Sequence, residues 1–504
     1  MVLNSQVPVL VVGAGPTGLA LACALRAAGV EARVVDKSAG PARTSRALGL
    51  QPRGAEVLDR LGALADLPAR SIPIGQVTTY VDGRPVARLA VGRRTALVKR
   101  PGLLVSQSEI EAALRDRLEE LGTEVGWGHE VTGLHQDPHG VTLQVGGQEL
   151  RAGWVVGCDG AHSRIRKAAA IGFPGVPLVE RFLLADVRAG LPLPREAVSV
   201  WLSGDRMIGA FPLPGADLWR LMTPATAAED SDGVLANVRR ALEEQTGIDA
   251  ALIRHADWTS TFRIQRRLAS AYRRGRVLLA GDAAHIHSPF GGQGMNTGLG
   301  DAENLAWKLA LVSSGRAASP LLDTYERERR PIAREVLEST SAMTRIVVGG
   351  SAPARFLRDR LLLPLLDRPR VQRMVWEQAS QLKITYRHGP LGMSRPRGLV
   401  SRAGTGAGDR VPDVPARRED GSPSRLHREL GGTWALLQPR EPHPGLAAAV
   451  RAHLSAAGVT LLTHEETADD SLLVRPDGHL AWRGTRARDL DHALAAILHR
   501  GRVR

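Results

Sequence analysis

Glycines near the amino terminus are spaced as a phosphate-binding turn requires. A short apolar run, 9–12, leads into GAGPTG at 13–18, and a second apolar stretch follows directly. Gly13 would permit a tight turn, Gly15 would let a pyrophosphate approach the backbone, and Gly18 would let helix and strand pack closely. The helix N-terminus would then offer its N–H groups to phosphate oxygens.

The carboxylate of Asp36 would complete this unit. Asp36 ends a second strand, predicted over 31–35, and follows Gly18 by 18 residues. At that place a carboxylate can accept hydrogen bonds from the ribose of a dinucleotide. Strand, turn, helix and acid therefore stand in the order that a dinucleotide-binding βαβ unit needs. The contacts predicted for this unit are Gly13, Gly15, Pro16, Thr17, Gly18, Asp36 and Lys37.

Two later stretches again place a strand before an acid and glycines. VVGCDGAHS spans 155–163, and the strand 277–280 runs into GDAAH at 281–285. PFGGQGMN at 289–296 then opens a helix that is predicted from about 297 to 313. An acid at a strand end can bond a polyol chain, and a glycine-rich turn into a helix supplies N–H groups for a polar ring edge. One extended cofactor contacted by three separated segments is expected.

In order and spacing, the three segments resemble the fingerprints of the single-component, class A FAD-dependent monooxygenases, whose best-known member is para-hydroxybenzoate hydroxylase. The resemblance covers roughly residues 5–390. Within that family, the chain is most similar to the aromatic polyketide hydroxylases and related antibiotic-modifying monooxygenases. This narrower similarity rests on SRALGLQPR at 45–53, on the chain length and on an extra C-terminal domain. The resemblance implies FAD as cofactor, NADPH or NADH as a transient co-substrate, and O2 as oxidant. A second GxGxxG is absent from the sequence, which fits a nicotinamide that binds only transiently.

The resemblance also implies roles for single residues. Arg46 would lie beside the flavin and Pro289 would line the isoalloxazine ring, and both are predicted active-site residues. Asp282 would bind the ribityl chain. Asp159 and Arg166 would take part in nicotinamide and FAD binding, or would form a structural ion pair. The further predicted cofactor contacts are Gln107, Val131, Gly292, Gly294, Met295 and Asn296.

Several of these residues also have a purely structural interpretation. Asp282 could cap a helix in the core, and the segment 289–296 could be an ordinary Pro/Gly loop. Arg46 could form an ion pair on the surface. Ser106 could serve only as the N-cap of the helix that begins near Gln107.

Composition narrows the class of protein. A chain of 504 residues is too long for one core, so two or three domains are expected. The net charge of +14 comes from scattered arginines without a basic block, so no nucleic-acid binding is predicted.

Two cysteines, Cys23 and Cys158, exclude a disulfide framework, and His285 and His287 lack the companions of a metal site. No apolar stretch reaches 18 residues, so a cytoplasmic protein without a membrane segment is expected.

The strand and helix patterns predict an α/β fold. It comprises a Rossmann-like FAD-binding domain with an inserted, mainly antiparallel β substrate domain, a helical region and a C-terminal thioredoxin-like domain. That last domain has no CxxC and cannot perform thiol chemistry. The predicted bounds are 1–174 for the first part of the FAD-binding domain, 175–275 for the substrate sheet, 276–395 for the second part and helical region, 396–424 for a linker, and 425–504 for the thioredoxin-like domain.

The predicted function is hydroxylation of a polycyclic aromatic or phenolic small molecule through a flavin C4a-hydroperoxide. The inserted sheet would exclude water from this species. Baeyer-Villiger oxygen insertion into a similar substrate is the main alternative, because the same cofactor motifs serve both reactions. Another flavin oxidation and a non-catalytic flavin-binding protein remain open. The protein is expected to be a monomer or a homodimer.

Overall fold

The computed structural model describes residues 6–42, 47–225, 233–288, 291–348, 352–392, 406–464 and 469–498. Strands β1 to β25 span, in chain order, Gln6–Val12, Ala32–Val35, Gly49–Leu50, Ile72–Pro73, Gln76–Val81, Arg84–Ala90, Leu103–Leu104, Val125–Gly126, Val131–Asp137, Gly140–Val145, Gln148–Gly157, Gly175–Ala189, Ala197–Ser203, Arg206–Pro212, Leu218–Pro224, Ile253–Leu268, Arg273–Arg274, Val277–Leu279, His285–Ile286, Pro415–Arg418, Pro423–Arg425, Trp434–Gln438, Val459–His464, Ser471–Val474 and Leu480–Gly484. Helices α1 to α12 span Pro16–Ala27, Pro52–Leu61, Gln107–Glu120, Arg164–Ala168, Val234–Thr246, Gly294–Ser313, Asp323–Val348, Ala352–Leu357, Leu363–Leu365, Pro369–Ala379, Leu446–Leu454 and Ala487–Leu498.

The first sheet is built on parallel strands in the order β18-β11-β1-β2-β8. Its central strand β1 is an apolar run whose residues Val9, Leu10 and Val11 are completely buried. Such runs are typical of parallel strands covered on both faces. The helices α1, α3 and α6 pack together on this sheet, and the antiparallel pair β9–β10 extends it from β11. The predicted Rossmann-like domain is confirmed.

The second sheet has the order β19-β16-β12-β15-β14-β13-β5-β6 and is antiparallel except for the pair β13–β5. The four strands predicted between 183 and 222 are present as β12 to β15. The sheet is not confined to 175–275, however, because the hairpin β5–β6 comes from residues 76–90. Asp82 and Gly83, both with positive φ, form its two-residue turn. Asp-Gly is a strong hairpin signal, and the expected boundary at 174 overlooks it.

The third sheet has the order β21-β20-β23-β22-β24-β25. Its parallel pair β22–β23 is joined through α11, the antiparallel pair β24–β25 follows, and α12 ends the described chain. This is the predicted β-α-β-β-α series. The expected linker 396–424 is too long, because β20 and β21 lie within it and pair with each other and with β23. Each begins with a proline, Pro415 and Pro423, which disguises them in the sequence as linker.

Helices α7 to α10 fill most of residues 323–379, as the pattern of that region predicts. The longest, α7, contains Pro331 and many charged residues. None of the helices in the described ranges combines the length and the apolarity needed to cross a bilayer.

Candidate cofactor site

The carboxyl ends of neighbouring parallel strands bring the three predicted segments to one edge of the first sheet. Val12, at the end of β1, lies opposite both Val35 in β2 and Gly157 in β11. Gly157 in turn lies opposite Leu279 at the end of β18. Gly13, Asp159 and Gly281 lie one or two residues after the ends of β1, β11 and β18, respectively. A ligand site at the carboxyl edge of a parallel sheet is the general arrangement in open α/β folds.

The three glycines of the first turn differ in what surrounds them. Gly13 has φ +108°, and a Cβ there would overlap the carbonyl group of Cys158. A Cβ on Gly18 would overlap the carbonyl oxygen of Gly13. At Gly15, by contrast, the backbone is extended (φ −76°, ψ 179°) and a Cβ would meet no atom within 4 Å. The protein itself thus requires glycine at the first and third positions, whereas position 15 leaves a cradle beside the N-terminus of α1.

Thr17 ties the first segment to the third. A Cβ on Gly281, where φ is +60°, would lie 2.6 Å from the Thr17 hydroxyl oxygen. A Cβ on Gly298, in α6, would overlap the same oxygen. The Thr17 side chain is therefore enclosed by two backbone segments that only glycine allows to approach.

Asp36 braces the glycine turn. One carboxylate oxygen accepts a hydrogen bond from the Ala14 N–H at 2.7 Å, and the other accepts from the Ser38 N–H at 2.8 Å. A carboxylate offers about four acceptor positions, so it can also receive ribose hydroxyls. Lys37 beside it is exposed, whereas the Val131 side chain is buried at the start of β9. The proposed contacts of Lys37 and Val131 with the cofactor stay predictions.

The segment around the predicted active-site arginine is only partly described. Arg46 and Pro289 lie outside the described residues. Gln107 begins α3; its N–H donates to the Ala47 carbonyl at 3.2 Å and its amide donates to Glu111 at 2.8 Å. Ser106 is the N-cap of that helix, accepting from the N–H of residue 108, as expected. The cofactor contact of Gln107 stays a prediction.

Asp159 and Arg166 each have a structural contact of their own. The Asp159 carboxylate accepts from the Ser163 hydroxyl at 2.5 Å and from the N–H groups of residues 164 and 165 at 2.6 and 3.1 Å. It thus caps the short helix α4. The Arg166 guanidinium donates to the carbonyls of Ala161 and Ala283 and lies 3.8 Å above the Phe173 ring. These contacts, and not the ion pair that was one of the two interpretations, hold both side chains, and they join the second fingerprint to the third. The cofactor contact of Asp159 stays a prediction.

In the third fingerprint, the side chain of Asp282 is directed out of the core. It is exposed, whereas the neighbouring residues Gly281 and Ala283 are buried in a single helical turn. A residue that caps a helix inside the core would be covered. The geometry therefore supports a contact between Asp282 and a polyol chain.

Asn296 joins the glycine loop to the chain near β3. Its side-chain oxygen accepts from the Gln51 N–H at 2.9 Å, and its amide donates to the carbonyls of Gly49 and Gly292. A Cβ on Gly54 would overlap this side chain. Both amide N–H donors of Asn296 are therefore used by the protein, so a cofactor contact there would come from its side-chain oxygen or its backbone.

The start of α6 offers backbone donors beside Asn296. Thr297 makes the first hydrogen bond of the helix, to the Gln293 carbonyl. The N–H groups of Gly294 and Met295 precede that bond, and Gly292, at φ +61°, forms the turn before them. These groups stand where a helix N-terminus can bind a polar ring edge.

A buried ionic cluster supports this edge and was not predicted. Asp301, on α6, pairs with His285 at 2.6 Å and with Arg329 at 2.8 Å, and all three side chains are at most 1% exposed. Asp301 also accepts from the Gly281 N–H at 3.1 Å. The available signal was three charged residues, Asp301, Glu303 and Lys308, in a helix otherwise rich in Leu, Ala and Gly, where a buried charge needs a partner.

Two further observations fit a bound flavin nucleotide. Burial lowers the pKa of His287 to about 4, so its ring is neutral near pH 7. Its Nδ1 donates to the Ser288 carbonyl at 3.0 Å, and Nε2 is a buried acceptor without a donor among the described residues. Such an atom calls for a donor from a ligand or solvent. With the cradle at Gly15 and the exposed Asp282, the residues present suit FAD.

Comparisons with known proteins agree with the assignment of an FAD site. The family described as FAD binding domain matches residues 6–340, and the family described as aromatic-ring hydroxylase, C-terminal, matches residues 405–501. The 12-dehydrotetracycline 5-monooxygenase/anhydrotetracycline 6-monooxygenase of Streptomyces rimosus is 35% identical over 501 residues, covering 94% of each chain.

Solved structures show the same likeness over nearly the whole chain. An anhydrotetracycline hydroxylase from Streptomyces rimosus is 34% identical, with a TM-score of 0.79 over 98% of this chain and 99% of that one. An aklavinone-11 hydroxylase, solved with FAD and aklavinone, is 25% identical, with a TM-score of 0.80 over the same shares. The chain therefore belongs to the FAD-dependent aromatic-ring hydroxylases, and among these flavoprotein monooxygenases to the aromatic polyketide hydroxylase subgroup.

Proposed function

We propose that this enzyme hydroxylates a polycyclic aromatic polyketide, using FAD, NADPH or NADH, and O2. The observation that carries the proposal is the assembly of three cofactor segments at one sheet edge, beside a second sheet with a partly open apolar face. The named relatives oxidise or bind fused-ring polyketides, which supports this substrate class. Oxygen insertion of the Baeyer-Villiger type has no such support among them.

The proposed substrate surface lies between the second sheet and the segment around β3. Leu48, Val200 and Phe211 are half-buried apolar side chains packed on one cluster, together with Ala379 at the end of α10. Gly49, which follows Leu48 in the chain, approaches the loop at Gly291 and Gly292, since a Cβ on Gly49 would lie 3.8 Å from the Gly292 Cα. Apolar side chains beside a flavin suit an apolar, fused-ring substrate.

The chain's own residues would bind and orient the reacting groups and would exclude water from them. The first glycine turn and α1 would hold the pyrophosphate, Asp36 the ribose and Asp282 the ribityl chain. When bound, reduced FAD supplies the activation of O2 and the transfer of one oxygen atom. The second sheet would exclude water from that reaction. Arg46 and Pro289 remain our proposed active-site residues.

The test is turnover with the purified protein. FAD-loaded enzyme, NADPH or NADH, and 18O2 are incubated with tetracycline-type and anthracyclinone-type aromatic substrates, and the products are analysed by mass spectrometry and NMR. We expect one 18O atom as a new hydroxyl group on an intact ring system. A Gly15→Val protein without FAD is the control. Ring expansion would support the Baeyer-Villiger alternative, and an absence of product across the panel would contradict the proposal.

We also infer that the enzyme works in the cytoplasm, where NADPH and NADH are available, as a monomer or a homodimer. Cell fractionation and light scattering of the purified protein test these two inferences. Recovery with the membrane fraction, or a larger assembly, would contradict them.

A further inference from the structure

A turn of the C-terminal domain, residues 475–479, enters the FAD-binding domain. Arg475 donates to both carboxylate oxygens of Glu328, on α7, at 2.9 and 3.0 Å. Asp477 accepts from Asn304 at 3.2 Å and from the Trp307 indole at 3.3 Å, both on α6. Arg475, Asp477 and Glu328 have side chains that are at most 1% exposed. The turn therefore binds to both α6 and α7, the two helices that lie behind the cofactor site.

A continuous series of contacts leads from this turn to the third fingerprint. The His479 ring packs on the Tyr386 ring, with their centroids 4.2 Å apart. The Tyr386 hydroxyl accepts from Arg329 at 3.0 Å, and Arg329 donates to Asp301 at 2.8 Å. Asp301 accepts from the N–H of Gly281, the residue before Asp282. Four contacts thus separate the C-terminal domain from the predicted ribityl-binding carboxylate.

Buried side chains of both charges meet where the turn contacts α6 and α7. Arg329, Arg475 and Lys308 face three acids, Asp301, Glu328 and Asp477, and Lys308 pairs with Glu328 at 2.8 Å. Buried charges interact strongly because little water screens them. A shift of the turn would leave one charge without its partner, so the positions of α6, α7 and the turn are coupled.

We propose that the turn 475–479 is a positioning element of the FAD site, acting on α7 through Glu328 and on the backbone at Gly281 through Tyr386, Arg329 and Asp301. The C-terminal domain then sets the affinity and the redox potential of the flavin without touching it. This inference rests on the assignment of the FAD site above. Its residues are positioning residues and perform no chemistry.

The experiment compares two Arg→Lys changes in the same domain. Arg475→Lys keeps the charge but loses the two-pronged bond to Glu328. Arg418 lies at the end of β20, and Arg418→Lys, which weakens a half-exposed ion pair with Glu429, is the control. Tyr386→Phe removes one oxygen from the relay. For each protein we measure the FAD dissociation constant of the apo-protein, the flavin midpoint potential and the thermal midpoint.

We expect Arg475→Lys and Tyr386→Phe each to raise the FAD dissociation constant at least about fivefold and to shift the potential, with less than additive effects in the double variant. Arg418→Lys should stay within about twofold of the wild type. If Arg475→Lys does not fold, Tyr386→Phe alone decides. FAD affinity and potential equal to the control, even with a lowered thermal midpoint, would overturn the proposal. A wild type that binds no FAD would instead overturn the site assignment.

Discussion

The Thr17 hydroxyl stands where a side chain on Gly298 would have to be. The first glycine turn and the first turn of α6 therefore pack so closely that there is no room for a side chain at position 298. This contact fixes the distance between the segment proposed for the pyrophosphate and the segment proposed for the flavin ring.

Gly298→Ala is expected to destabilise the protein, although alanine favours a helix elsewhere. The new methyl group would overlap the Thr17 hydroxyl, and overpacking of this kind costs about 1–3 kcal/mol. Thr17→Ala should restore most of the loss in the double variant, because it removes the overlapping atom. Urea unfolding of the two single variants and the double variant measures this. Equal stabilities of Gly298→Ala and wild type would contradict the packing described.

Gly15→Val should separate cofactor binding from folding. Its side chain meets no protein atom within 4 Å as far as the Cβ, so the apo-protein should keep its thermal midpoint. The same side chain would block the pyrophosphate, and FAD retention should be lost. Gly18→Ala is the matched contrast, because its Cβ overlaps the Gly13 carbonyl oxygen and should impair folding itself. A Gly15→Val protein with full flavin content would show that the first fingerprint is misinterpreted.

Asp282→Ala should weaken FAD binding by about 1–3 kcal/mol, since a hydroxyl of the ribityl chain loses its acceptor. Asp282→Asn keeps one acceptor and should lose less. Asp205→Ala, in the exposed turn between β13 and β14, serves as the control. Fluorescence titration of the apo-proteins gives the dissociation constants. An affinity unchanged in Asp282→Ala, with correct folding, would count against this placement of the ribityl chain.

Glu328 should make the fold sensitive to acid. Burial alone would raise the pKa of this carboxyl, but Arg475 and Lys308 outweigh burial and hold the pKa at about 2. The unfolded chain takes up the proton near the ordinary value of 4.5, so the stabilisation is complete above that pH and is lost as the pH falls from 4.5 towards 2. Its size is about 3 kcal/mol.

Glu328→Gln should therefore flatten the dependence of unfolding free energy on pH in that range. It should also lower stability near pH 7, where Arg475 and Lys308 lose their shared anion. Urea unfolding between about pH 7 and pH 3 tests both statements. Glu31→Gln, at an exposed site, is the comparison. Parallel pH curves for wild type and Glu328→Gln would be incompatible with the buried pairing.

Local patterns sufficed to predict the conformation of the glycine turn, the position of Asp36 directly after a strand, and the strands from β12 to β15. Their conformations depend on neighbours in the chain, so residue type and spacing carry the information. The C-terminal series of strands and helices was predictable for the same reason. The hairpin β5–β6 carried a local signal too, in Asp82–Gly83, but its membership of the second sheet depends on a pairing with β13 that lies more than a hundred residues away.

The buried ionic clusters could not be predicted in this way. Arg53 and Glu303 pair at 2.9 Å across 250 positions of sequence. In the sequence, Arg53 is one more charge on an amphipathic helix, which usually faces solvent. It is buried because the C-terminal domain covers it, where it also donates to the Asp477 carbonyl. Such a residue becomes interpretable only once the tertiary partners are known.

The parallel pairing of β5 with β13 limits how this enzyme can be recombined with its relatives. A chimaera that exchanges only residues 175–275 would receive a sheet in which the hairpin β5–β6, and β19 at the opposite edge, still derive from the other parent. Six register partners, from Gln76 opposite Ala197 to Val81 opposite Leu202, would then be mismatched in side-chain shape. Residues 76–90 must therefore be exchanged together with residues 175–275 if substrate preference is to be transferred intact.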